Sequence, residues 1–316
     1  MKIHHLLRHG ALVVALFSIL RPAAAQQTGK AAGVPVHIVV SVEAMKGNQI
    51  PALTQQDIAV HQGKDVRPVT GWVPATANYG GLALAVLIDD SSGSSIDNQL
   101  NDLRTFIQQQ APTTAVAVGY MQNGTVSMTQ NFTRDHAAAA KSLRVALGYP
   151  GAVGSPYVSL SDFIKRWPAD PATPRREVLM ITSGIDPLYP GIYPDPYVNA
   201  AVHDAQCAGV VVYSIYTPGA GHWGHSHWLT YWGQNFLSQL SEETGGESYY
   251  LMGPQPPVAF APYLDQLNRQ LGNQYLLTFL AKPGKNAGRE PVKVTTEIHT
   301  IDLVHADQVC VPASAE

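Results

Sequence analysis

From Leu82 the chain alternates short apolar runs with stretches whose apolar residues recur at helical spacing. The run Leu82 to Asp89 is continuous enough for a strand buried on both faces. After a serine-rich turn, Ile96, Leu100, Leu103 and Ile107 fall on one helical face, and Pro112 ends that helix. Further strands are expected over Ala115 to Met121, Glu177 to Thr182, Val210 to Tyr216 and Glu247 to Leu251, with an antiparallel edge strand at Val126 to Met128. Helices are expected over Arg134 to Leu147, Ser155 to Trp167, Tyr197 to Ala208, Gln234 to Glu243 and Ala261 to Leu271. Such alternation predicts an α/β fold, a mostly parallel sheet covered on both faces.

Two β-rich segments flank this part. VHIVVSV (Val36 to Val42) and Asp57 to Val60 precede it, with turns at Lys46 to Asn48 and Gln62 to Lys64. Tyr275 to Leu280, Val292 to Ile298 and Leu303 to Val309 follow it, the first two joined by a polar loop from Lys282 to Arg289. Each segment is small for a core of its own, so the two are expected to pair as a β-sandwich-like unit. The expected organisation is 1–25, a secretory signal; 26–76, an N-terminal β segment; 77–273, the α/β domain; and 274–316, a C-terminal β segment.

The signal reading rests on Lys2 and Arg8 before the apolar run Ala11 to Leu20, with Ala23 to Ala25 as small residues for cleavage. That run is too short to span a bilayer, and no other segment is long enough, so a secreted or periplasmic protein without a transmembrane segment is expected. Export would permit one disulfide between Cys207 and Cys310. One sits on an expected helix and the other on a C-terminal strand, nothing in the sequence brings them together, and two buried free thiols are the simpler expectation.

The 316 residues are 45% hydrophobic and 14% charged with a net charge of -3. The few charges are scattered with mixed signs, which argues against nucleic acid as a partner.

The chemistry gathers where the first buried strand ends, in Asp89-Asp90-Ser91-Ser92-Gly93-Ser94-Ser95. Ligands of open α/β sheets bind at the carboxyl ends of strands. Asp90, Ser92 and Ser94 could converge there on a hard divalent cation, which prefers oxygen ligands. Equally, hydroxyls and carboxylates in such a turn cap the following helix. Asp89 is expected to point away from Asp90 by strand alternation.

Asp90-Ser91-Ser92-Gly93-Ser94 in this position resembles the metal-ion-dependent adhesion motif of von Willebrand factor type A domains. The resemblance covers about Leu82 to Leu271. The flanking β segments and signal are similar to those of a secreted subgroup, the VWFA-related acidobacterial type. The resemblance implies a Rossmann-like, doubly wound sheet flanked by helices, Mg²⁺ or Mn²⁺ at its top, and a protein or cell-surface ligand whose acidic group completes the coordination. Its remaining motif positions fall on Ser155, in place of a threonine, and on Ser183, in place of an aspartate in Thr182-Ser183-Gly184. Ser183 removes a negative charge from the set, and Asp186 is a nearby carboxylate that could replace it.

Two aromatic stretches are expected on the same side of the sheet. Gly221 to Trp228 carries His222, Trp223, His225, His227 and Trp228, and PLYPGIYPDPY (Pro187 to Tyr197) carries Tyr189 and Tyr193. Aromatic side chains are frequent interface anchors. The three imidazoles could bind a transition metal, but no Cys or carboxylate within their loop completes a site.

No nucleophile elbow, HExxH, phosphate loop or dinucleotide fingerprint is present. The expected function is thus a non-enzymatic binding or adhesion-type module with a degenerate metal site. The alternatives are a metal-dependent hydrolase built on Asp90, the serines and the His loop, or a metal-free interaction scaffold.

Overall fold

The computed structural model describes residues 33–45, 48–76, 80–92, 94–147, 154–168, 173–220, 226–250 and 257–313. The signal-type segment therefore lies outside the described residues. Among the described residues no helix is long and apolar enough to cross a membrane.

The elements follow in chain order. Strands β1 (Val34–Ala44), β2 (Ala59–Gln62), β3 (Asp65–Arg67) and β4 (Val69–Pro74) come first. Then come β5 (Leu82–Asp89), α1 (Leu100–Gln108), β6 (Thr114–Gln122), β7 (Thr125–Thr133), α2 (His136–Lys141), α3 (Pro156–Lys165) and β8 (Arg175–Thr182). They continue with α4 (Pro196–Ala208), β9 (Val210–Tyr216), α5 (His227–Thr244), β10 (Ser248–Tyr249) and α6 (Ala261–Gly272). The chain closes with β11 (Gln274–Ala281), β12 (Gly288–Thr295), β13 (Ile301–His305) and β14 (Gln308–Val311).

The central sheet has the order β10-β9-β8-β5-β6-β7, parallel except for β7. It is the doubly wound α/β sheet expected, and its order reverses at β5. Every residue of β5 is buried, as a central strand covered on both faces requires. Leu84, Val86 and Ile88 pack with α1, α2 and α6 on one face, whereas Ala85 and Leu87 pack with α3, α4 and α5 on the other.

The flanking segments pair into two four-stranded sheets, β13-β1-β11-β4 and β14-β12-β2-β3, around one core. The Gln62 to Lys64 turn closes the β2–β3 hairpin, with Gly63 supplying the left-handed conformation at φ +59°. The tail departs from the expected pattern in two ways. β11 and β12 lie in different sheets, so the Lys282 to Arg289 segment is a crossing between sheets and no hairpin loop. The single strand expected at Leu303 to Val309 is instead two, β13 and β14. Between them the Asp307 N–H is drawn to the Glu243 carbonyl on α5, and the Val292 N–H bonds to the Asp307 carbonyl, so the chain switches sheets there.

A buried polar network joins the sandwich to the amino end of the central sheet. Arg175 donates to the Leu271 and Gly80 carbonyls and to Gln274, while the Gln274 amide donates to Ser41, Tyr213 and Glu177. Burial pushes the Glu177 carboxyl above its ordinary range, against the opposing pull of Arg175, Gln274 and Tyr213. A raised folded-state value means that the folded chain takes up a proton before the unfolded chain does. This contribution to stability therefore grows as pH falls through the folded value toward the ordinary 4.5. Denaturant midpoints across this range should rise for the wild type on mild acidification, and rise less for Glu177→Gln.

Candidate functional site

The site forms where β5, β8 and β9 end, at the switch point of the sheet. Alternation along β5 carries past the strand and sends the two adjacent carboxylates to opposite sides, as expected. The two then meet different partners.

Asp90 turns to the α1 and α2 side. Both of its oxygens accept from the Arg144 guanidinium, at 2.7 and 2.9 Å, and the Leu147 N–H adds a third bond at 3.0 Å. Arg144 lies over the Tyr120 ring at 3.7 Å, and the Tyr120 hydroxyl accepts from the Arg144 N–H and donates to its carbonyl. Burial pushes the Asp90 carboxyl up, but the bonds and charge of Arg144 together with the Leu147 N–H outweigh it and hold the group below its ordinary value. Asp90 is thus fully engaged in an internal ion pair, apart from Ser155 and Asp186. The carboxylate expected to lead the metal set is thus held by Arg144 and the Leu147 N–H.

The pair also corrects the helix expected over Arg134 to Leu147. α2 stops at Lys141 because the following residues leave helical geometry to carry Arg144 and Leu147 onto Asp90.

Asp89 turns to the α3, α4 and α5 side. Its carboxylate accepts from the Ser91 N–H (3.0 Å), the Ser91 hydroxyl (2.6 Å) and the Thr182 hydroxyl (2.6 Å). On the same side, Ser155 caps α3, accepting from the Val158 N–H and donating to Asp186. Asp186 also accepts from the Leu188 N–H at 2.7 Å. Asp195 caps α4 ahead of Pro196, a pairing of cap and proline that places the α4 terminus beside this cluster. Asp89, Asp186 and Asp195 surround Tyr157, whose hydroxyl donates to the Gly184 carbonyl at 2.6 Å. Burial first, and then the charges of Asp195, Asp186 and Asp89, drive the Tyr157 hydroxyl well above its ordinary pKa.

All three carboxyls are themselves raised, in each case mainly by burial. Among the described residues no Lys, Arg or His pairs with any of them. Buried carboxylates are normally matched by a cation, and one oxygen of Asp195 has no hydrogen-bond partner. The donors are all oxygen, the chemistry that suits a hard cation such as the implied Mg²⁺ or Mn²⁺, and Asp89, Ser91, Ser155 and Asp186 are the groups that would hold it.

The remaining motif positions are divided. The Ser92 hydroxyl is buried without a hydrogen-bond partner, and its backbone bridges to Gly219. Ser94 begins a 3₁₀ turn, and its side chain lies outside the described residues. The Ser183 hydroxyl accepts from the Ile185 N–H in a local turn. Among the described residues no group of three or more His, Cys, Asp or Glu side chains is placed to hold a metal ion.

The two aromatic stretches meet. His222, Trp223 and His225 lie outside the described residues. His227 and Trp228 open α5, capped by Ser226, so they belong to a helix that starts seven residues before the expected Gln234. Trp232 is the hub, with Tyr193, Trp228, Tyr231 and Phe236 at centroid distances of 6.2, 6.4, 6.1 and 5.6 Å. Trp228 lies directly on Gly191 of the proline-rich loop, where an added Cβ would come within 2.2 Å of the indole. Tyr193, Trp228 and Tyr231 remain 65%, 56% and 55% exposed. Tyr189 is half-buried and its N–H bonds to the Asp186 carbonyl, linking the aromatic loop to the carboxylate cluster.

Arg144 carried no readable signal, since it fell inside the helix expected over Arg134 to Leu147. Asp195 did: an Asp-Pro pair opening an apolar-periodic run marks a capped helix start at the ligand side of the sheet.

The fold and site define a doubly wound α/β chain with an oxygen-rich, buried carboxylate cluster at its switch point. No protein-family model matches the chain, and no curated protein matches it. Solved structures do. An aerotolerance-related membrane protein from Bacteroides fragilis matches at 12% identity over 60% of this chain and 98% of its own, with a TM-score of 0.41. The conserved hypothetical protein BatB from Bacteroides thetaiotaomicron matches at 10% identity over 60% and 97%, with a TM-score of 0.43. The pilus adhesin SpaC from Lactobacillus rhamnosus GG, in its open conformation, matches at 9% identity over 82% and 48%, with a TM-score of 0.41.

Proposed function

We propose that the protein is a non-enzymatic, von Willebrand A-like binding module, exported from the cell, that recognises a protein or surface ligand through the carboxyl end of its central sheet. The observation that carries this reading is the set of buried carboxylates at the switch point, which no Lys, Arg or His pairs with among the described residues and which lies beside an exposed aromatic face. Mg²⁺ or Mn²⁺ would be held by Asp89, Ser91, Ser155 and Asp186, and when bound would supply a hard Lewis-acidic centre for an acidic group of the partner. The Cys207–Cys310 disulfide supports export, because such bonds persist in oxidising compartments. Assignment to the acidobacterial subgroup rests on the flanking β segments and the N-terminal signal pattern.

Calorimetric titration of chelator-stripped protein with Mg²⁺ and Mn²⁺ tests the reading. One ion per chain is expected for the wild type and none for Asp89→Asn, whose amide keeps the volume while removing the charge. Asp90→Asn should still bind while it remains folded. A folded wild type that takes up no ion would move the reading to the metal-free scaffold. Turnover of ester, phosphate or glycan substrates would move it to the hydrolase.

A further inference from the structure

Along the outer face of α5 a cleft of about 420 Å³ is lined by Tyr193, Tyr231, Trp232, Asn235, Phe236, Gln239 and Glu243. We infer that this cleft binds a neutral oligosaccharide, laid along α5 with its sugar rings stacked on the aromatic side chains. The inference deepens the binding reading by naming a ligand class for the aromatic face, and it requires no metal.

Three features point to a sugar. The first is the make-up of the walls: among the described residues the apolar lining is aromatic, with no Leu, Ile, Val or Met. A pyranose offers an apolar C–H face to a ring and hydroxyls at its edge, whereas protein contacts bring aliphatic side chains that this cleft does not meet in kind.

The second is the file of polar groups beside the rings. Asn235, Gln239 and Glu243 follow one another at four-residue intervals on α5, so they lie on one helical face. From Tyr231 to Glu243 is twelve residues, or about 18 Å at the helical rise, enough for several sugar units. The Gln239 amide is already oriented, donating to Asn199 of α4 at 3.1 Å. An amide, a second amide and a carboxylate supply the mixture of donors and acceptors that a row of hydroxyls uses.

The third is charge. Among the described residues the lining holds one carboxylate and no cation, which disfavours acidic glycans and nucleic acid, both of which call for Lys or Arg.

The rings are also set before any ligand arrives. Tyr193 and Tyr231 are braced against Trp232, which packs in turn on the buried Phe236. Rigid exposed rings lose little conformational entropy on binding, which favours affinity from few contacts.

Tryptophan fluorescence titration of the full chain with neutral hexasaccharides of glucose, xylose and N-acetylglucosamine tests the inference, with a proline-rich peptide as the rival ligand. The expected result is saturable quenching by at least one hexasaccharide, unchanged by chelator, and weakened at least tenfold by Tyr231→Ala and by Tyr193→Ala. Both tyrosines are more than half exposed, so both variants should keep the wild-type melting temperature. Gln239→Ala should weaken binding further without altering the ring stacking. The inference is overturned if no hexasaccharide binds, if binding survives both tyrosine substitutions, or if only the peptide binds. Loss of sugar binding in excess chelator would overturn it too, since the ligand would then depend on a bound metal.

Discussion

Replacing Arg144 by alanine should lower the free energy of unfolding by about 3 kcal/mol, the low end of the cost of breaking a buried ion pair by removing one partner. Asp90 is fully buried and Arg144 is 32% exposed, so the two halves of the pair are not equivalent. Without Arg144, the Asp90 carboxylate stays in the protein with only the Leu147 N–H to meet its charge. Without Asp90, the guanidinium can turn toward water while the Leu147 N–H loses its acceptor, and Asp90→Ala should cost about 1–2 kcal/mol. The double variant removes both charges together and should cost less than the sum, with a coupling of roughly 1–2 kcal/mol. Urea unfolding of the four proteins measures this directly. Strict additivity would mean that the pair contributes nothing beyond its separate parts. The wild-type pair should also weaken in acid. Its lowered Asp90 carboxyl contributes stability above the ordinary 3.8, and that contribution disappears as pH falls through the folded value.

The same pair shows what could be read from the sequence and what could not. Period-two alternation correctly sends Asp89 and Asp90 to opposite sides of β5. It does not say which side holds Ser155 and Asp186, because that depends on which helices cover each face. The topology decides it: α3 and α4 lie on the side of Ala85, Leu87 and Asp89. A motif read as a string of letters placed Asp90 in the metal set, whereas the packing puts Asp89 beside the hydroxyls.

The helix expected through Leu147 failed for a related reason. The local periodicity of Ala137 to Leu143 is genuine, but the anchoring of Arg144 by Tyr120 and Asp90 is a contact across 24 and 54 residues that no local pattern encodes. By contrast, the core strands were legible because burial on both faces forces continuous apolar runs. The meeting of the two aromatic loops was legible only in part. Both follow strands that end at the same edge, but the seat of Trp228 on Gly191 is a matter of side-chain packing.

The cysteines give the largest departure from expectation and the second large effect. They are joined, with Cα atoms 4.7 Å apart, and neither is buried as the free-thiol reading required. The bond ties α4 of the α/β part to β14 of the sandwich across a sequence separation of 103 residues. For a loop of about that length, chain-entropy arguments give about 4.7 kcal/mol of stabilisation through restriction of the unfolded chain. Cys207→Ser with Cys310→Ser, or reduction by dithiothreitol, should therefore lower the unfolding free energy by about 4–5 kcal/mol.

The folded state should survive this loss, because the seam has other ties. Arg289 of β12 donates to Gln206 at 3.0 Å, Gln206 donates to the Glu243 carbonyl at 2.7 Å, and the Asp307 N–H bonds to that same carbonyl. What the bond restrains most is β14, which pairs only with β12 in its sheet. Amide exchange in β14 should accelerate on reduction, while exchange in β5 and β8 follows only the global loss of stability. An unfolding midpoint that does not move on reduction would show that the crosslink leaves the unfolded chain no more restricted than before. A drop in midpoint with unchanged β14 protection would place its whole effect in the unfolded state.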